Sequence, residues 1–207
     1  MLCWSKPSIG DITAFLATQR EQKFSYACVG GSRQDPPEGF TVDHNRARLG
    51  HGVETFERAK RAVKQWKMFD MPWVHLYWPG TPIEVGMAVG VVISHFGFWS
   101  MNASRIVYVI DDQGSPQQFG FAYGTLPGHE EIGEERFLVQ FNKADESVWY
   151  DLFAFSRPGT WARLAYPVSR ALRKRFVRDS KLAMARAVKE DLDGASLPGN
   201  GSGRRKP

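Results

Sequence analysis

Between Trp73 and Ser156 the sequence keeps a period of two, and this stretch constrains the fold more than any other. Runs rich in valine, isoleucine and aromatics alternate with turns such as Trp78-Pro79-Gly80, Asp111-Asp112-Gln113-Gly114 and Leu126-Pro127-Gly128. The pattern predicts about six strands, near 74–78, 83–96, 104–110, 117–126, 134–141 and 147–156. Connections this short between consecutive strands require antiparallel pairing. The glycines within 83–96 predict a bend or bulge there.

The flanks have a different period. Residues 8–20 read as a short helix with Ser8 as N-cap, and 30–39 as loop. A polar strand at 40–49 suits a sheet edge. From 53 to 69, Val53, Phe56, Ala59, Val63, Trp66 and Phe69 recur every three or four residues, an amphipathic helix that ends before Met71-Pro72. A last helix is expected from Thr160 to about residue 192, kinked at Pro167. Leu164, Val168, Ala171, Leu172, Phe176, Ala183, Ala187 and Val188 form its apolar stripe. The polar, glycine-rich segment from Gly194 onward is expected to be disordered.

Composition narrows the class of protein. At 207 residues, 43% hydrophobic and 24% charged, the chain can bury a sizeable core. Its two cysteines, Cys3 and Cys28, offer no disulfide framework or zinc spacing, which suits a reducing compartment. The N-terminus has no secretory pattern, and the apolar run 85–93 is far short of the ~20 residues that span a bilayer. The expectation is a cytoplasmic protein with no transmembrane segment. The net charge of +5 is unevenly spread: between Arg163 and Lys189 there are nine Lys or Arg and one acid, Asp179.

Alternation assigns faces. In 117–126 the bulky Phe119, Phe121, Tyr123 and Thr125 share one side, and Gly120, Ala122 and Gly124 the other. The bulky sides should point inward. The small-residue sides are then exposed, or lie under a closely packed N-terminal segment. The same logic turns Glu135 inward with Phe137, Val139 and Phe141, and leaves Glu134 and Arg136 outward. An inward carboxylate needs a partner, such as Arg105, or a raised pKa. His95 shares a face with Val91 and Ile93, and Asp179 lies near the stripe of the last helix. His95, Tyr123, Thr125, Glu135 and Asp179 are therefore the candidate ligand-binding groups. His129, Glu130, Glu131 and Glu134 crowd one turn but match no metal loop, and His44, His51 and His75 are scattered, so no metal site is expected. Gly30-Gly31 is too little for a phosphate loop, Ser156 lacks the setting of a serine nucleophile, and no cofactor is expected.

An antiparallel sheet followed by one long helix resembles the helix-grip arrangement of the START and Bet v 1 superfamily, in which the sheet wraps the helix and often encloses a cavity. Two segments carry a closer likeness: Phe119 to His129 with Gly133-Glu134-Glu135-Arg136-Phe137, and Ala154-Phe155-Ser156-Arg157-Pro158 with Tyr166-Pro167 and Arg175-Phe176. With Leu49-Gly50-His51-Gly52 and Ile106-Val107-Tyr108-Val109, they resemble the domain-of-unknown-function family numbered nineteen-ninety. The likeness covers about 25–190 and implies the fold without a mechanism. The fold expectation is α+β: one domain over 1–193, with 1–39 an N-terminal appendage, 40–193 a helix-grip-like core, and 194–207 a tail. The leading functional expectation is a small hydrophobic molecule bound between the sheet and the last helix. One alternative is an enzyme of cyclase- or hydrolase-like chemistry using Glu135 or Asp179. Another is nucleic acid or anionic membrane bound by the basic helix.

Overall fold

A computed structural model describes residues 1–34, 36–95, 97–159 and 166–195, the side chains of 166 and 191–195 excepted. Its eight strands are β1 (Leu2–Cys3), β2 (Thr41–His51), β3 (Val74–Tyr77), β4 (Ala88–His95), β5 (Phe98–Asp112), β6 (Gln117–Thr125), β7 (Glu131–Phe141) and β8 (Ser147–Pro158). They form one curved antiparallel sheet in the order β2-β8-β7-β6-β5-β4-β3, with β1 added beside the start of β5. The chain from β3 to β8 is a meander, so each strand pairs with the next, as short turns demand. Helices α1 (Ile9–Gln19), α2 (Val53–Lys64) and α3 (Tyr166–Ala195) pack on this sheet.

The larger core lies on the concave side. There α2 contributes Phe56, Ala59 and Val63, α3 contributes Val177, Met184 and Val188, and the sheet contributes Phe121, Phe137 and Tyr150. A smaller core on the outer side joins Ile12 and Leu16 of α1 to Val92, Met101 and Ala103. Ser8 caps α1 as expected, in a reciprocal capping box with Asp11. The small-residue side of β6 does lie under the N-terminal segment. A Cβ on Gly124 would come within 2.0 Å of the Tyr26 hydroxyl oxygen, so only glycine allows Tyr26 to seat there.

Several expected boundaries move. The helix expected over 53–69 stops at Lys64; Trp66 takes a left-handed conformation (φ 57°), and Lys67–Phe69 form a separate 3-10 turn. Tertiary contacts override the periodicity, because the Trp66 indole donates to the Thr81 carbonyl at 2.8 Å and its ring meets Phe121 edge-on. The strand expected from 83 begins at Ala88, after a turn in which Gly86 has φ 89°. The strand expected from 104 begins at Phe98. Pro167 is the second residue of α3 as described, and the stretch before Tyr166, on which the expected kink bears, lies outside the described residues. Val168 and Ala171 face solvent; the inward stripe is Leu172, Phe176, Val177, Ser180, Ala183, Met184, Ala187 and Val188. The helix continues through Gly194 to Ala195, while Thr160, Leu164 and residues 196–207 lie outside the described residues. No described helix is long and apolar enough to cross a membrane.

Candidate functional site on the concave face

Residues directly opposite one another in an antiparallel pair share a face. The β4–β5 register pairs Val89 with Ser104, Val91 with Asn102, Ile93 with Ser100 and His95 with Phe98. Since Val89 and Val91 belong to the concave core, Ser104, Asn102, Ser100 and His95 lie on that side too. One end of the concave face is therefore polar. Ser100, Asn102 and Ser104 are buried. Asn102 donates to the Ser100 hydroxyl at 3.1 Å and accepts from the Glu130 amide at 3.1 Å. The Ser104 hydroxyl oxygen and His95 Nε2 are buried without a hydrogen-bond partner among the described residues.

Beside this row, β6, β7 and α3 bring together a charged cluster. The Tyr123 hydroxyl donates to Glu135 at 2.9 Å. Arg173 of α3 reaches Glu135 at 3.2 Å through one terminal nitrogen and Glu131 at 3.2 Å through the other. Asp43 of β2 takes Arg170 at 2.6 Å and lies 3.6 Å from Arg173 Nε. Burial pushes the Glu135 carboxyl above its ordinary range, and this outweighs the opposing pull of Arg173 and the Tyr123 hydrogen bond. Burial and the neighbouring carboxylate hold the Tyr123 hydroxyl well above the usual phenol range. Burial alone would lower the Arg173 guanidinium; the carboxylates of Glu135, Glu131 and Asp43 reverse that and raise it.

The structure thus joins Tyr123 to Glu135 but not to His95, which is on the same face three strands away and at the far end of β4, opposite Phe98, roughly 20 Å along the sheet even from Ser104. The partner of Glu135 is Arg173; Arg105 instead donates to the Arg20 carbonyl and stacks on Phe24. Thr125 is occupied at the end of β6, where its hydroxyl bonds the Gly133 backbone and Ser25. Asp179 accepts from the Trp73 indole at 2.9 Å and from Arg178 at 2.8 Å, with Arg175 alongside. Burial raises its carboxyl, but these partners outweigh that and hold it below the ordinary value. Glu134 lies on the outward face as expected, buried there under the N-terminal segment, where Tyr26, Gly30 and Ser32 donate to it.

His129 accepts the Glu131 amide at Nδ1. Burial, with the N-terminal ammonium beside it, pushes this histidine down to about 3. Glu134 lies on the opposite face of the sheet from Glu135, so the acidic turn does not converge, and no described group of three or more His, Cys, Asp and Glu could hold a metal. The centre between sheet and α3 is filled with aromatics, Phe69 stacking against Phe137, Tyr123 and Phe176 at 5.5 to 6.2 Å. A groove of about 540 Å³ lies elsewhere, between β1 and α1, near Cys3, Lys6, Asp11, Phe15 and Met101. The residues missed from sequence are Arg173 and the row Ser100, Asn102, Ser104. The row had a readable signal in its alternation with Trp99, Met101 and Ala103.

The family model described as Domain of unknown function (DUF1990) matches residues 25–183. A UPF0548 protein of Dictyostelium discoideum is 38% identical, over 91% of this chain and 96% of that protein. A UPF0548 protein of Arabidopsis thaliana is 35% identical, over 90% and 97%. One of Deinococcus radiodurans is 37% identical, over 88% and 96%. Among solved structures, Ara h 8.0201 aligns with a TM-score of 0.46 at 12% identity, over 73% of this chain and 99% of its own. Human STARD10 aligns with a TM-score of 0.45 at 9% identity, over 92% and 85%.

Proposed function

The chain belongs to the DUF1990 family, and from that premise we propose that it binds a small, largely apolar molecule at the polar end of the concave face. Ser104, Tyr123 and Glu135 meet the polar groups of this ligand, and the neighbouring valines and aromatics hold its body. The carrying observation is that Ser104 Oγ is buried on this face with no described partner. Buried polar atoms are nearly always hydrogen-bonded, and an unpaired one costs about 1–3 kcal/mol. Such an atom, near Tyr123 and in a row with Asn102 and Ser100, favours a ligand that supplies the missing bond. The aromatic filling around Phe69 directs that ligand toward Ser104 and Glu135, away from the middle of α3. Thr125 and Asp179 are committed to structural bonds and take no part.

Native mass spectrometry of the undialysed protein tests this reading. The expected result is a co-purifying small molecule that is lost or reduced in Ser104→Val and Tyr123→Phe proteins that still fold. Proteins with no bound species in either form, and higher stability in Ser104→Val, would show that the unpaired Ser104 hydroxyl is a structural cost only.

A further inference from the structure

The outer face of the sheet is only partly covered. The segment 25–34 lies over Gly124, Glu134 and Tyr108. Beyond it, the alternate residues Val42, His44, Arg46 and Arg48 of edge strand β2 are all exposed. Register sets His44 opposite Phe153, Arg46 opposite Asp151 and Arg48 opposite Trp149, and β7 adds Arg136 and Gln140 to these rows. The first and third rows set a ring beside a basic side chain, and the middle row holds Arg46, Asp151 and Leu138. The Arg46 guanidinium lies 4.9 Å from the Trp149 ring centre, and that of Arg136 lies 5.1 Å from Phe153. The carboxylate within these rows, Asp151, is buried and already contacted by His44 at 2.7 Å, Arg136 at 3.1 Å and Arg46 at 3.4 Å. Asp145, in the β7–β8 turn, flanks Arg48.

We propose that this face of β2, β8 and β7 binds single-stranded nucleic acid. Arg46 and Arg48 supply positive groups at alternate positions of an extended strand, roughly 6.6 Å apart, suited to a row of phosphates. Trp149, Phe153 and the planar guanidiniums supply stacking surfaces for unpaired bases. Edge strands carry charge simply to block pairing with other sheets. That purpose does not require rings beneath the Arg46 and Arg136 guanidiniums. The basic face of α3 is the weaker candidate, because Arg170 and Arg173 turn inward to Asp43, Glu131 and Glu135, and Arg175 and Arg178 flank Asp179.

The experiment is fluorescence anisotropy of labelled oligothymidylate and oligouridylate against the full chain at low and moderate salt. A duplex of equal length and heparin serve as competitors. Binding should weaken as salt rises, and the duplex and heparin should compete poorly. Arg46→Gln/Arg48→Gln should flatten the salt dependence by about one to two counterions. Trp149→Leu should weaken binding about tenfold or more, a stacking loss that charge alone would not show. Arg48→Gln by itself, at an exposed position, keeps the test valid if the double variant melts early. The control Lys174→Gln/Lys189→Gln on α3 should bind like the parent. No binding at low salt, an unaffected Trp149→Leu protein, equal competition by heparin, or loss confined to the α3 control would each overturn the proposal.

Discussion

Arg173 and Glu135 meet at 3.2 Å across the interface between α3 and β7, both side chains at least nine-tenths buried. This contact ties the last helix to the centre of the sheet at a point where neither residue has access to bulk water. It is also lopsided: Arg173 serves three carboxylates, while Glu135 has one cation and one phenol.

The lopsidedness separates two substitutions. Arg173→Met leaves Glu131, Glu135 and Asp43 facing one another and should destabilise the fold by about 3–5 kcal/mol. Glu135→Gln leaves Arg173 two carboxylates and should cost clearly less. Urea unfolding of both variants checks the order; a costlier Glu135→Gln would mean that the pair, and not the cluster, is the unit.

Acid sensitivity follows from His129. Its folded value near 3 lies below the ordinary imidazole value of 6.5, so the unfolded chain binds the proton more readily. Stability from this group is complete above about 6.5 and is lost as pH falls toward 3, at no more than about 1.4 kcal/mol per pH unit. His129→Gln should flatten the stability profile between pH 6.5 and 4. An unchanged slope would assign the acid sensitivity to other groups.

Glu135 carries the opposite sign. Its folded value is raised, so it favours the native state while protonated and loses that advantage as pH climbs through its folded pKa. In Glu135→Gln the fall in stability above the ordinary carboxyl range should be shallower than in the parent, as thermal melts at stepped pH would record.

On the outer face, Glu134 accepts from the Tyr26 hydroxyl, two backbone amides and the Ser32 hydroxyl, and so fastens residues 26–32 to the sheet. Tyr26→Phe removes one of four donors and should cost about 1 kcal/mol. Glu134→Leu strands the other three and should expose the segment to limited proteolysis while the sheet survives. Equal protease resistance in parent and Glu134→Leu would show that packing by Phe155 and Phe40 holds the segment.

Local rules made the sheet legible. Period-two runs between turn residues reveal every strand from β3 to β8, and the inward turn of Glu135 follows from Phe137, Val139 and Phe141 alone. Three features were harder to read. Trp66 ends α2 with no glycine or proline to announce it, because the cause is a hydrogen bond to Thr81, fifteen residues on. Arg173 reads as part of a solvated basic face, because its partners Asp43, Glu131 and Glu135 come from strands far away in sequence. Glu134 and Glu135 are adjacent and both acidic, yet one sits beneath the N-terminal segment and the other faces α3. Alternation separates their faces, but it cannot say that both faces are covered.

The reversal at Trp66 has a bearing on the free volume of the concave core. Four residues, Trp66 to Phe69, send aromatic and thioether bulk into the interior from a short connector, while the strands and α3 form the walls. Exchanging large for small residues in that connector would alter how much room the interior offers without disturbing any strand pairing. The free volume of the concave core is therefore set by one short stretch of chain, independently of the sheet that encloses it.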